Sequence, residues 1–212
     1  MSYHFLGGTV LAVVLATGAS AATLVNGSLT GPIANGGVPS GWTTLLGSPD
    51  TMDENNNVGV GSPFSVAPSG PSPDGGTWVG FAGGYVESFG QTISDFVIGQ
   101  NYDLSWYAGN FGADVGPGYN GPNAIEVLLD GVSIGMGAIH AVGSDWFAES
   151  IQFQATATSG MLAFRLFNGN TNSYMSIDGI AIDVANVPLP ASLLLLGTAL
   201  AGLGGFKRRK KH

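Results

Sequence analysis

The 212-residue chain has no cysteine and only six lysines and arginines. Without thiols there is no disulfide framework, no zinc ribbon and no cysteine nucleophile. Five of the six bases (Lys207, Arg208, Arg209, Lys210 and Lys211) sit at the C-terminal end. Residues 22–187 therefore carry all fourteen acids against Arg165 alone, a net of −13. That surface repels phosphate backbones and excludes nucleic acid as a partner. Charged residues make up 9% of the chain against 44% apolar, which excludes intrinsic disorder. Catalytic groups are equally sparse. No lysine lies in residues 22–187, so Schiff-base chemistry is absent there. His140 is the one histidine of that stretch, and no Gly-x-Ser-x-Gly elbow accompanies it. Zinc catalysis commonly uses several histidines. A glycosidase needs two carboxylates at a set separation, and no spacing selects a pair among Glu87, Glu126 and Glu149. No glycine loop continues into the Lys-Ser/Thr of a phosphate site. Binding is expected, not catalysis.

Both ends of the chain are apolar. Residues 1–21 hold an apolar run, Val10–Ala16, followed by small residues at Ala19-Ser20-Ala21. This is the pattern of a secretory signal peptide cut before Ala22. At the other end, Ala191–Phe206 is an apolar stretch long enough for about 24 Å of helix. It is somewhat short of a ~30 Å hydrocarbon core, although flanking bases can snorkel to the interface. The cluster Lys207–Lys211 places this end on the cytoplasmic side and the domain outside.

The order Val187-Pro188-Leu189-Pro190-Ala191, then an apolar span, then a terminal basic cluster resembles the PEP-CTERM sorting signals in their VPLPA variant. The resemblance implies export in a Gram-negative bacterium that makes extracellular polysaccharide or biofilm. It also implies a transient stay in the inner membrane as a transmembrane helix. The implied partner is an exosortase-type membrane protease that removes residues 187–212. Leu189 stands where the class name has glutamate, so an acidic contact to that enzyme does not carry over.

Residues 22–186 read as one all-β domain. Glycine interrupts any helical period, while β-branched and aromatic residues alternate in short runs. Leu104 and Trp106 share one face of Tyr102–Ala108. Ile125, Val127 and Leu129 form a second run, and Ile151, Phe153 and Ala155 a third. Leu162, Phe164 and Leu166 make another, and Ile180, Ile182 and Val184 the last. Thr77–Ala82 and Val86–Ile93 are expected as earlier strands. Asp130-Gly131 suits a tight hairpin turn, because both residues tolerate positive φ. The proline-rich stretch 62–76 excludes a central strand and predicts a long surface loop. About eight strands suggest a two-sheet antiparallel sandwich or jelly roll.

Leu24-Val25-Asn26-Gly27-Ser28-Leu29, then Pro39-Ser40-Gly41-Trp42, resembles the opening of galactose-binding-like jelly rolls, which include many carbohydrate-binding modules. Gly99–Trp106 and Ser176-Ile177-Asp178-Gly179-Ile180 are similar to their middle and closing strands. Leu29-Thr30 stands where the family usually has an acidic residue, a departure at its structural calcium site.

Two kinds of site are expected. Sugar rings stack on flat aromatic faces while amides and carboxylates bind their hydroxyls. Trp78, Tyr85, Tyr107, Asn110 and Tyr119 are the candidates for an extracellular polysaccharide, the last three framing the glycine-rich stretch 109–121. Calcium prefers clustered oxygens. Asp50, Asp53 and Glu54, in a segment that reads as loop, are candidate ligands, and the jelly-roll resemblance adds Asp178. The expected protein is an exported surface or matrix component with a glycan-binding sandwich. The alternatives are a purely structural matrix or adhesion protein and a secreted glycan hydrolase.

Overall fold

A computed structural model describes residues 21–55, 64–83, 87–114, 118–167 and 172–185. Among them are ten strands and no helix: β1 (Thr43–Leu46), β2 (Asp50–Met52), β3 (Trp78–Ala82), β4 (Ser88–Ile93), β5 (Asn101–Asn110), β6 (Ile125–Leu129), β7 (Val132–Met136), β8 (Ser144–Gln154), β9 (Gly160–Leu166) and β10 (Tyr174–Val184). They form two five-stranded antiparallel sheets, ordered β1-β4-β9-β6-β7 and β2-β3-β10-β5-β8. The expected all-β sandwich is what the chain adopts.

The alternating runs bury their apolar sides between the sheets. Tyr102, Leu104, Trp106 and Ala108 of β5 face Val127, Phe164 and Leu166 of the first sheet, with Phe81, Phe89 and Ile177 in the same cluster. Trp42 closes one side. It meets Phe89 edge-on at 5.3 Å, and its indole N–H donates to the Asn26 carbonyl at 2.8 Å. The two halves of the chain's opening segment are thereby tied together. Asp130 (φ 51°) and Gly131 (φ 79°) make the expected β6–β7 turn, both in the left-handed region that a type I′ hairpin needs.

The sequence reading missed β1 and β2. β1 is almost wholly exposed, so it shows no alternation, and β2 has three residues, all buried. The expected loop at Asp50 is therefore partly strand: Asp50, Thr51 and Met52 pair with Gly80, Val79 and Trp78 of β3.

β3 is buried on both faces because the second sheet has a covered outer side. There Met52, Trp78, Ala82, Ala113, Tyr119 and Tyr174 form a second, smaller core, with Phe64 and Trp146 packed on it. Trp78 and Trp146 meet edge-on at 5.1 Å, and Phe111 meets Trp146 at 5.2 Å. The loops that follow β2 and β5 supply this cover, and it extends over only part of the sheet.

Candidate functional site

The uncovered part of that outer face carries a shallow groove of about 370 Å³. Ser105 and Tyr107 of β5, Ala148 of β8, and Gly179 and Ala181 of β10 line it, with Asp74 at one wall, and Trp106 and Glu149 complete the lining. Strand alternation puts these small and polar residues outward, since Leu104, Trp106, Ile180 and Ile182 face the core. Tyr107 pairs in register with Ala148 on one side and Asp178 on the other. A register shift between Asp178 and Ala181 bulges β10 here, and Gly179 has φ 59°. A Cβ on Gly179 would lie 2.7 Å from Tyr107 Cδ2. Glycine thus serves twice, allowing the left-handed turn and letting the half-buried phenol ring lie against the backbone.

Asp178 lies next to the groove and is fully buried. Ser72 Oγ donates to its Oδ2. Burial pushes this carboxyl up to about 7, against the pull of the Ser72 bond and of the Gly179 amide, and the negative charge of Asp74 adds to the rise. The Ser72–Asp178 contact also fixes the loop that presents Asp74.

The other expected site residues lie elsewhere. Trp78 is fully buried and Tyr119 nearly so, both in the second core, so neither offers a face to a sugar. Asn110 is fully buried and donates to the carbonyls of His140 (2.8 Å) and Gly121 (3.2 Å), which makes it a brace for two loops. Tyr107 alone of the aromatic candidates is at the groove; Tyr85 lies outside the described residues. Asp74, Ser105, Ala148, Gly179 and Ala181 were missed. The signal for Ser105 was present, as the outward partner in the same alternation that revealed Leu104 and Trp106.

Among the described residues the acidic side chains expected as ligands are not gathered into one cluster. Asp50 is buried with both oxygens engaged, by the Gly36 amide (2.7 Å) and the Tyr174 hydroxyl (2.7 Å). Asp53 accepts from the Asn55 amide at 2.8 Å in the turn after β2, beside Glu54. No group of three or more acidic or histidine side chains is placed to hold a metal among the described residues. Asp178 stands apart from that stretch, on β10. Burial raises the carboxyls of Asp50 and Glu87 above their ordinary range, with hydrogen bonds opposing in both cases. The same burial, with the Asp50 charge, raises the Tyr174 phenol.

His140 is paired with a carboxylate. Its Nε2 lies 2.6 Å from Glu149 Oε1, and its ring stacks on Phe147 at 4.6 Å. Arg165 on β9 pairs with Glu126 on β6 at 2.7 Å, in the sheet opposite the groove.

The sorting residues Val187–Ala191 and the bases Lys207–Lys211 lie outside the described residues, as do residues 1–20. No curated protein matches the chain in sequence. Among solved structures, a Stig cyclase from Fischerella sp. TAU is similar with a TM-score of 0.53 at 15% identity, covering 79% of this chain and 99% of the cyclase. A family 35 carbohydrate binding module from Clostridium thermocellum gives a TM-score of 0.42 at 8% identity, over 68% of this chain and 98% of the module. The enzymatically active domain of a tailspike protein of bacteriophage CBA120 gives 0.43 at 14% identity, over 69% of this chain. This chain spans 20% of that tailspike structure's length. The cyclase supports the sandwich fold and nothing finer. Residues 186–210 match the PEP-CTERM protein-sorting motif, which implies export and passage through a membrane to the cell surface under an exosortase.

Proposed function

We propose that the protein is an exported surface or matrix component whose sandwich binds extracellular polysaccharide in the Tyr107 groove. It is a binder, not an enzyme. The observation that carries this reading is a half-buried aromatic ring at the floor of an open groove with hydroxyl and carboxylate groups at its edge. The ring offers an apolar face to sugar C–H groups, and Ser105 and Asp74 offer hydrogen bonds to hydroxyls. Supporting that reading, residues 22–187 hold one histidine and neither lysine nor cysteine. In affinity electrophoresis through gels holding the producing cell's own polysaccharide, the purified protein should be retarded. Tyr107→Ala should lose most of that retardation, since the substitution removes the aromatic face on which the sugar would stack. Equal mobility of the two proteins would refute the groove as the site.

The tail is a processing signal in this reading. A sixteen-residue apolar span holding Gly197, Gly202, Gly204 and Gly205 is a poor permanent anchor, because glycine weakens a helix and adds no apolar area. Mass spectrometry of the surface pool should recover no peptide from residues 191–206. Recovery of that peptide from the mature protein would make the tail an ordinary anchor.

A further inference from the structure

We propose that the groove selects glycans that carry free amino groups, that is, chains containing de-N-acetylated hexosamine. The proposal rests on the glycan-binding reading of the same groove. The groove is lined by the carboxylates of Asp74 and Glu149, the latter paired with His140, and among the described residues no lysine or arginine lies on this sheet. Asp74 stands at one wall. Asp103 and Asp183 lie on the same face, one outward position beyond Ser105 and Ala181. These two aspartates are direct cross-strand partners between β5 and β10. Like charges in that arrangement destabilise a sheet, so strand pairing alone gives no reason for them. The side-chain bond given to Asp103 is neutral, from Gln152 Nε2 at 2.9 Å.

A further observation points the same way. Asp178 is fully buried opposite Tyr107 in register, on the same face of β10, and only the Ser72 hydroxyl and the Gly179 amide offset the burial of its carboxyl, with no cation beside it among the described residues. The described cations cannot neutralise this surface. Arg165 is held by Glu126 on the opposite sheet, and His140 is held by Glu149.

A hexosamine chain matches both features. Its ring presents an apolar face to Tyr107, and its ammonium groups can pair with the carboxylates. From Tyr107 to Asp103 is four residues, about 13 Å along a strand, so the acidic positions are spread over linked sugars and not gathered on one. An N-acetylated chain keeps the stacking but loses the charge. A uronate chain adds repulsion to an unneutralised acidic face.

The test titrates the purified protein with oligomers of glucosamine, of N-acetylglucosamine and of a hexuronic acid. Four proteins are compared: wild type, Asp74→Asn, the double variant Asp103→Asn/Asp183→Asn, and Tyr107→Ala. The glucosamine oligomer should bind about tenfold more tightly than the acetylated one, with no binding of the uronate. Asp74→Asn should reduce that advantage, and Asp103→Asn/Asp183→Asn should reduce it further, as should high salt. Tyr107→Ala should weaken both amino-sugar oligomers alike. The double variant removes the like-charge pair and should melt no lower than wild type, so its loss of selectivity would not be a folding defect. Equal affinity for the acetylated and free-amine oligomers overturns the proposal while leaving glycan binding intact. An undiminished amine preference in the variants also overturns it, because overall charge would then be the cause. Binding of the uronate through added calcium would overturn it too. Failure of all three oligomers would overturn this proposal, and the glycan reading would fall with it only if the producing cell's own polysaccharide also failed to bind.

Discussion

Raising the pH from 5 to 8 should lower the melting temperature of the domain by roughly 5 °C or more, and Asp178→Asn should remove most of that slope. Asp178 is held at about 7 in the folded protein against an ordinary 3.8, chiefly by burial. The folded state thus holds this proton more tightly than the unfolded chain. The resulting stabilisation is complete below pH 3.8 and is lost as the pH rises through about 7. Over pH 5 to 8 the loss is on the order of 2–3 kcal/mol. Asp50 and Glu87 are shifted in the same direction for the same reason. Asp95, held below its ordinary range by bonds from Thr23 and Ser94, acts in the opposite sense but is fully exposed. Thermal melts at four pH values, with and without Asp178→Asn, decide the matter. A flat wild-type profile, or an unchanged slope in the variant, would contradict the account.

A single methyl group at Gly80 should destabilise the domain by about 3 kcal/mol or more. Gly80 sits mid-strand on β3, paired with Asp50 and Ser176. A Cβ there would fall 2.5 Å from Tyr174 Cε1, 2.6 Å from its hydroxyl oxygen and 2.7 Å from Met52 Cε. Tyr174 and Met52 are both fully buried, so neither can retreat without disturbing the second core. Moving Tyr174 would also break its bond to Asp50 and leave a buried carboxylate short of a partner. Urea unfolding of Gly80→Ala should show a clearly lower midpoint. Gly70→Ala is the control, because a Cβ at Gly70 meets nothing within 4 Å. A Gly80→Ala midpoint close to that of the control would show that the second core has slack.

What the sequence revealed and what it hid have a common physical origin. Strands with one face on the main core alternate, and Leu104 with Trp106, or Leu162 with Phe164, exposed the sandwich at once. The covered outer face has no such period. Trp-Val-Gly-Phe-Ala of β3 is apolar throughout because loops bury its second side. Trp78 and Tyr119 consequently looked like exposed sugar platforms when they are core. The groove was legible only at Tyr107. Apart from Trp106, its remaining residues are small, polar or charged and come from three strands and a loop, so only the register and the β10 bulge bring them together. Asp50 looked like a loop ligand for calcium because a three-residue strand leaves no pattern.

The central claim is that the outer face of the second sheet, at Tyr107, is a glycan-binding surface. Amide chemical-shift mapping of the labelled protein during titration with its polysaccharide tests this most directly. The account predicts saturable shifts at Ser105, Tyr107, Ala148, Gly179 and Ala181, with little change on the opposite sheet around Glu126 and Arg165. Shifts centred on any other surface, or none at saturating glycan, would contradict it.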